Sequence, residues 1–233
     1  MKIIIGLVVG NLSEEYRKKW TERWYIQALR LGDEIIVIDN STDGTGEYFL
    51  NKPRVAFYLK QKHNERHMNR DYQRILDLGR SIKAEWILNI DIDEIIDPIA
   101  DYDSLQYMIG GNSTPFEFHN NYRFLLFEMR DDENHYVQIS GKDCRPVSKF
   151  YKVMTHLQFD MNNIHGSSVP ENLEVGPIMN IKVKHLGHMT KDLREEKRNR
   201  YKLSSEKDIL EQNADWLKEE GVTIKEMKEN EWK

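Results

Sequence analysis

The sequence predicts an α/β fold: a mostly parallel central sheet flanked by helices, then a mixed, antiparallel second half and C-terminal helices. Three observations predict it. Ile3–Val9 is a continuous apolar run rich in β-branched residues, as a strand buried on both faces is, 34–39 is a second buried strand, and further strand-like runs lie at 54–59 and 86–91. Helical patterns lie between them, and strand-helix alternation at these lengths implies parallel pairing. From residue 115 onward the apolar residues alternate with polar ones, the signature of longer antiparallel strands.

Each element follows from local chemistry. "IIIGLVV" opens the chain as a buried strand. It is short for a signal peptide, and Asn11 and Ser13 lead into charge rather than a small-residue cleavage site. "SEEYRKKWTERWYIQALRLG" is a helix with Ser13 as N-cap, Glu14 and Glu15 in the first turn and Gly32 as its stop. Tyr16, Trp20, Trp24 and Ala28 recur at helical spacing and read as core. "EIIVID" is the second strand, "NSTDGTG" a polar turn, and 45–50 a short helix. "RVAFYL" is the third strand, 68–83 the next helix, and "WILNID" the fourth strand. Alternation in 115–130 and 135–139, with "SKFYKVM" and "IMNIKVKHLG", gives the second-half strands. "DLREEKRNRYKL" is a charged helix, and 219–233 is expected as a short helix or a frayed end.

Charged residues make up 31 % and the net charge is −5, so no global positive field calls for nucleic acid or an anionic membrane. No apolar run approaches the ~18 residues needed to span a bilayer. The one cysteine, Cys144, forms no internal disulfide, which suits a reducing compartment and a cytoplasmic location. Cys144 lacks a Cys-His signature and reads as a packing or loop thiol.

The chemistry concentrates in "WILNIDIDEIIDP", where a strand runs into Asp91, Asp93, Glu94 and Asp97. Carboxylates this close repel one another, so a positive partner is expected. Open α/β sheets bind ligands at the carboxyl ends of their strands, and Asp39 ends another. Strand alternation would place Asp91 and Asp93 on one side, able to hold one hard cation, Mn²⁺ or Mg²⁺. Mg²⁺ completes its shell with water and phosphate, so a diphosphate is a natural second ligand. Glu94 would be structural, and Asp97 before Pro98 would cap a turn. An EF-hand is excluded because Ile96 stands where its glycine is needed.

"IIIGLVVGN", "EIIVIDNSTDGT" and "AEWILNIDIDEII", in this order and spacing, resemble the family 2-like glycosyltransferases of the GT-A fold, in the branch with an Asp-x-Asp-Glu run. "NRDYQRILDLGRSIKAEW" resembles the helix before that family's metal motif. "NIHGSS" and "IKVKHLGHMTKDLREEKRNRY" resemble its late histidine segments.

The resemblance implies a metal-dependent enzyme that moves a sugar from a nucleoside-diphosphate sugar, UDP-linked, to a hydroxyl of a glycan or other acceptor. It implies a single domain over 1–190, with a nucleotide-sugar half (1–100), an acceptor half (101–190) and a helical extension (191–233). Val8, Val9 and Asp39 would hold the nucleobase and ribose. Asp91 would lie against the ribose or the metal's water shell, Asp93 would bind the metal, and His185 would be a late metal or diphosphate ligand. His188 competes with His185, and His165 would bind the acceptor or orient the leaving group. Arg70, with Arg66, Lys197, Arg198 and Arg200 as further candidates, would reach the diphosphate. An inverting enzyme needs a carboxylate base; Asp160 and Glu171 are the catalytic candidates, with Asp143 beside them, and the "Glu-Asp" pair of many inverting relatives does not occur after residue 140.

Two other readings compete. A nucleotidyltransferase would use a similar sheet and metal, but needs a Gly-rich basic loop where "VVGNLSEEYRKKW" stands. A non-catalytic nucleotide- or sugar-binding module would have a degenerate site, whereas Asp39, Asp91 and Asp93 are all present. A Rossmann dehydrogenase is disfavoured because no Gly-x-Gly-x-x-Gly follows the first strand.

Overall fold

The computed structural model describes residues 1–61, 67–110, 119–138, 141–161, 168–203, 222–228 and 232, the side chains of 200–203 excepted. The elements are β1 (Ile3–Val9), α1 (Glu14–Leu31), β2 (Glu34–Asp39), a 3-10 turn (Gly46–Phe49), β3 (Val55–Lys60), α2 (Met68–Ser81), β4 (Trp86–Asn89) and β5 (Glu94–Ile96). There follow α3 (Tyr102–Gly110), β6 (Asn121–Glu128), β7 (His135–Gln138), β8 (Arg145–Lys152), β9 (Ile178–His185), α4 (Lys191–Leu203) and β10 (Thr223–Glu226). Among the described residues, β3-β2-β1-β4-β8 follow one another as neighbours, as do β6-β9-β5, and β7 pairs with β10. This is the α/β class that the sequence predicts.

The chain divides into two compact units. The first comprises Met1–Ile92, Ala100–Arg123 and Ser148–Met179. In it β1 pairs in parallel with β2 and β4, β2 pairs in parallel with β3, and β8 returns antiparallel to β4 with Leu88 opposite Phe150. Ile4, Ile36, Ile38, Ile75, Leu76 and Ile87 are fully buried around Tyr72 and Tyr151. At about 1.5–3 kcal/mol per buried aliphatic side chain, this cluster is a major contribution to the unit's stability, beside the buried Ile3, Ile5, Leu7, Ile35 and Val37. Trp20, Trp24 and Ala28 are buried, and Trp24 Nε1 donates to the Ile90 carbonyl at 3.1 Å. Trp20, Trp24 and Ala28 of the stripe are therefore core, while Tyr16 at its start is half-buried.

The second unit comprises Asp93–Ile99, Phe124–Val147 and Asn180–Lys233. In it β5 runs antiparallel to β9, with Glu94 opposite His185 and Ile96 opposite Val183. The Met129 N–H beyond β6 donates to the His185 carbonyl at 3.0 Å. α4 starts after Thr190, whose hydroxyl accepts from the Leu193 N–H.

Several expectations need correction. β4 ends at Asn89, so Asp91 and Asp93 lie in the turn that follows, and strand alternation does not govern them. The expected helix at 45–50 is one 3-10 turn. Residues 223–226 form a strand, not a helix or a frayed end, because β7 supplies a partner from Gln138 to His135. No helix among the described residues is long and apolar enough to cross a membrane.

Candidate functional site

The second unit gathers a buried ionic cluster. β9 ends at His185, β5 begins directly after Asp93, and the Leu186 N–H donates to the Asp93 carbonyl at 2.7 Å. The bond from Met129 to His185 draws the end of β6 alongside, bringing in Glu128. His185 Nε2 lies 3.3 Å from Asp93 Oδ2, and His185 Nδ1 lies 2.5 Å from Glu128 Oε2. The same Glu128 oxygen meets His188 Nδ1 at 3.1 Å. Glu128 Oε1 accepts from Arg145 at 3.2 Å. Lys197 Nζ stands 3.3 Å from His188 Nε2 and 4.0 Å from Asp93 Oδ2. The buried Arg194 donates to the carbonyls of His188 and Met189 and so fixes the turn that carries these groups.

The local charges decide the protonation states. Burial works against ionisation of Asp93, but the His185 cation and its hydrogen bond, with Lys197, hold the carboxyl well below its ordinary value. Glu128 is likewise held well below by His185 and His188 in spite of its burial. Burial opposes a charge on His185, but Glu128 and Asp93 raise it to about 10. His188 goes the other way: burial and then Lys197 lower it to about 4. At neutral pH the cluster holds two carboxylates, one imidazolium and one neutral imidazole.

Carboxylate oxygens and imidazole nitrogens are competent donors to divalent ions. The ligand atoms of Glu128, His185 and His188 all lie within 4.8 Å of one another, so this buried group could hold a metal ion. Glu128 on His185 Nδ1 is also the carboxylate–histidine arrangement that orients a ligating imidazole, with a bound cation taking the place of the proton on Nε2. The residues present therefore fit a divalent cation. Gly187 leaves them room: a Cβ there would fall 2.3 Å from Asp93 Oδ2, 2.5 Å from Lys197 Nζ and 3.0 Å from His185 Nε2.

The first unit carries two further groupings. Asp39 is fully buried at the end of β2. Ser41 donates to its Oδ1 from N–H at 2.7 Å and hydroxyl at 2.6 Å; Tyr58 and Lys60 donate to Oδ2 at 2.5 and 2.8 Å. Burial and the Asp39 hydrogen bond raise the Tyr58 phenol's pKa. Gly46 packs on this carboxylate so closely that a Cβ would lie 2.0 Å from its carbon. Asp91 accepts from Tyr72 Oη at 3.0 Å and from the buried Lys149 at 3.3 Å. Val8 is half-buried and Val9 buried on β1. Arg70 Nε lies 4.0 Å from Asp71 Oδ1.

Among the sequence candidates, Asp93, His185, His188 and Lys197 come together. Asp160 is half-buried, with its backbone carbonyl bound by Asn69, and Glu171 is exposed. Asp143 accepts from Gln138 and Lys225. Asp97 caps a turn by accepting from the Ile99 N–H at 3.1 Å, and Glu94 is buried in β5. Arg66, His165 and the Arg200 side chain lie outside the described residues. Sequence reasoning missed Glu128, Lys149, Tyr72, Tyr58 and Lys60. Glu128 closes an alternating strand, and its approach to two histidines about 57 residues away has no local signal.

No family model and no curated protein matches the chain. Among solved structures it is similar to S. aureus TarS, at 13 % identity and a TM-score of 0.48, over 93 % of this chain and 43 % of that one. It is similar also to S. aureus TarS 1–349 (13 %, 0.49, 89 % of this chain and 68 % of that one). A third similar structure is a glycosyltransferase involved in glycosylation of the major capsid of PBCV-1 (11 %, 0.31, 65 % and 60 %). The chain thus spans less than half the length of the first of these. Likeness of this degree assigns neither an activity nor a site residue.

Proposed function

We propose that the chain is a metal-dependent, GT-A-like glycosyltransferase, moving a sugar from a nucleoside-diphosphate sugar, UDP-linked, to an acceptor hydroxyl. The observation that carries the reading is the approach of Asp93 Oδ2 to His185 Nε2 at 3.3 Å, with His185 Nδ1 held by Glu128. It supports these groups as the holders of Mn²⁺ or Mg²⁺. When bound, the ion would neutralise charge on the departing diphosphate.

The other roles belong to the chain's own side chains. Asp93 supplies an anionic oxygen without needing to lose a proton near neutral pH. Glu128 fixes His185 so that Nε2 faces Asp93. Asp39, with Val8 and Val9, holds the nucleoside; its four donors hold the carboxylate rigid before any ligand arrives. Asp91 lies against the ribose or the metal's water shell, Lys149 and Tyr72 orient it, and Arg70 takes the diphosphate. Asp160 or Glu171 accepts the acceptor's proton.

A panel of nucleotide-sugars incubated with Mn²⁺ tests the reading. The expected result is release of nucleoside diphosphate that stops on chelation and in Asp93→Ala. Release of pyrophosphate in the presence of sugar phosphate and nucleoside triphosphate would instead identify a nucleotidyltransferase. Stabilisation by UDP without turnover would identify a binding module.

A further inference from the structure

We infer that Lys197 is a built-in placeholder cation: its ammonium occupies the ligand cluster of the metal-free protein and has to leave when a divalent ion enters. The inference rests on reading Asp93 and His185 as metal ligands. Lys197 Nζ lies 4.0 Å from Asp93 Oδ2 and 3.3 Å from His188 Nε2, so one cation already stands at ion-pair distance from a carboxylate and at hydrogen-bond distance from an imidazole nitrogen of the cluster. The Cβ position over Gly187 is 2.5 Å from this ammonium and 2.3 and 3.0 Å from Asp93 Oδ2 and His185 Nε2, so all three converge on one spot. The Lys197 side chain is only 17 % exposed.

Its attachment suits a group that can leave. The start of α4 is fixed by Arg194 on the carbonyls of His188 and Met189, one turn before Lys197. The backbone is therefore held while four rotatable bonds let the ammonium swing away. A divalent ion beside Asp93 and an ammonium about 4 Å away repel one another strongly even at an effective dielectric near 20. Lys197 thus adds to His185 in pairing Asp93 when no ion is bound and raises the concentration of ion needed for entry.

The bland alternative is a structural ion pair that only stabilises Asp93. The two accounts differ in the sign of one effect. Isothermal titration of Mn²⁺ into the full chain without nucleotide should give a dissociation constant about tenfold lower for Lys197→Met than for wild type. Lys197→Arg, which keeps the charge, should bind no tighter than wild type. Lys197→Gln serves as a second neutral variant if thermal unfolding shows that Lys197→Met is misfolded. Equal or weaker Mn²⁺ binding by folded neutral variants would overturn the placeholder role. A wild-type chain with no Mn²⁺ binding sensitive to Asp93→Ala would overturn the metal reading, and this inference with it.

Discussion

Glu128 Oε2 lies 2.5 Å from His185 Nδ1 and thereby turns His185 Nε2 toward Asp93, 3.3 Å away. One buried carboxylate so sets the direction of an imidazole at the end of the neighbouring strand. Replacing Glu128 by Gln keeps the shape and removes the charge that orients both histidines. Metal affinity in Glu128→Gln should fall about 10–100-fold, the usual effect of losing a partner that orients a ligand. Titration of Mn²⁺ against the variant checks this; wild-type affinity would leave Glu128 without an orienting role.

The cluster makes the stability of the metal-free protein depend on pH in a defined way. His185, raised to about 10, contributes stability that is fully present below about 6.5 and lost as pH rises through its folded value. His188, lowered to about 4, acts oppositely: the unfolded imidazole gains its proton near 6.5 first, so stability falls as pH drops through that window. The depressed Asp93 and Glu128 contribute stability above about 4 that is lost on further acidification. Urea unfolding in chelator from about pH 4 to about pH 10 should show a stability maximum at about pH 6.5. Glu128→Gln should flatten the alkaline limb. A continuous rise from pH 6.5 to 10 would contradict the assignment of charge to His185.

Asp39 is a second case of one carboxylate serving several donors. In Asp39→Ala the buried Ser41 N–H and hydroxyl and the half-buried Tyr58 hydroxyl lose their acceptor, while the Lys60 ammonium turns to water. The expected destabilisation is about 1–3 kcal/mol for each buried donor left unmatched, less what water recovers. Nucleotide affinity should fall more than Mn²⁺ affinity. Equal losses of both would separate Asp39 from the nucleoside.

Gly187→Ala tests the space within the ionic cluster. The added methyl meets Asp93 Oδ2 and His185 Nε2, whose positions are fixed by burial and pairing, as well as the flexible Lys197 head. Metal affinity should drop at least about tenfold with a modest loss of stability, since relief requires the cluster to spread. Unchanged affinity, measured by titration of the folded variant, would show that the cluster tolerates spreading.

The parallel strands were legible because a strand buried on both faces leaves a continuous apolar run, as in Ile3–Val9 and Glu34–Asp39. Trp20 and Trp24 were legible as core because helical spacing places them on one face. Asp93 and His185 stood out because each follows or ends such a run. β5 is only three residues long and α3 nine, and neither has a pattern that outweighs its neighbours. β10 is charged and largely exposed, and its partner β7 lies about 85 residues earlier, so no local pattern announces it. Glu128 and Lys149 were silent for the same reason. Each is one polar position in an alternating strand, and its meaning comes from a residue distant in sequence.

The proposed function stands on Asp93 and His185 holding a divalent cation. Titration of Mn²⁺ into chelator-treated wild type, Asp93→Ala and His185→Ala tests it most directly. The expected result is one saturable site in the wild type, lost in Asp93→Ala and weakened in His185→Ala, with all three proteins folded. Saturable binding that survives both substitutions, or none in the wild type, would contradict it.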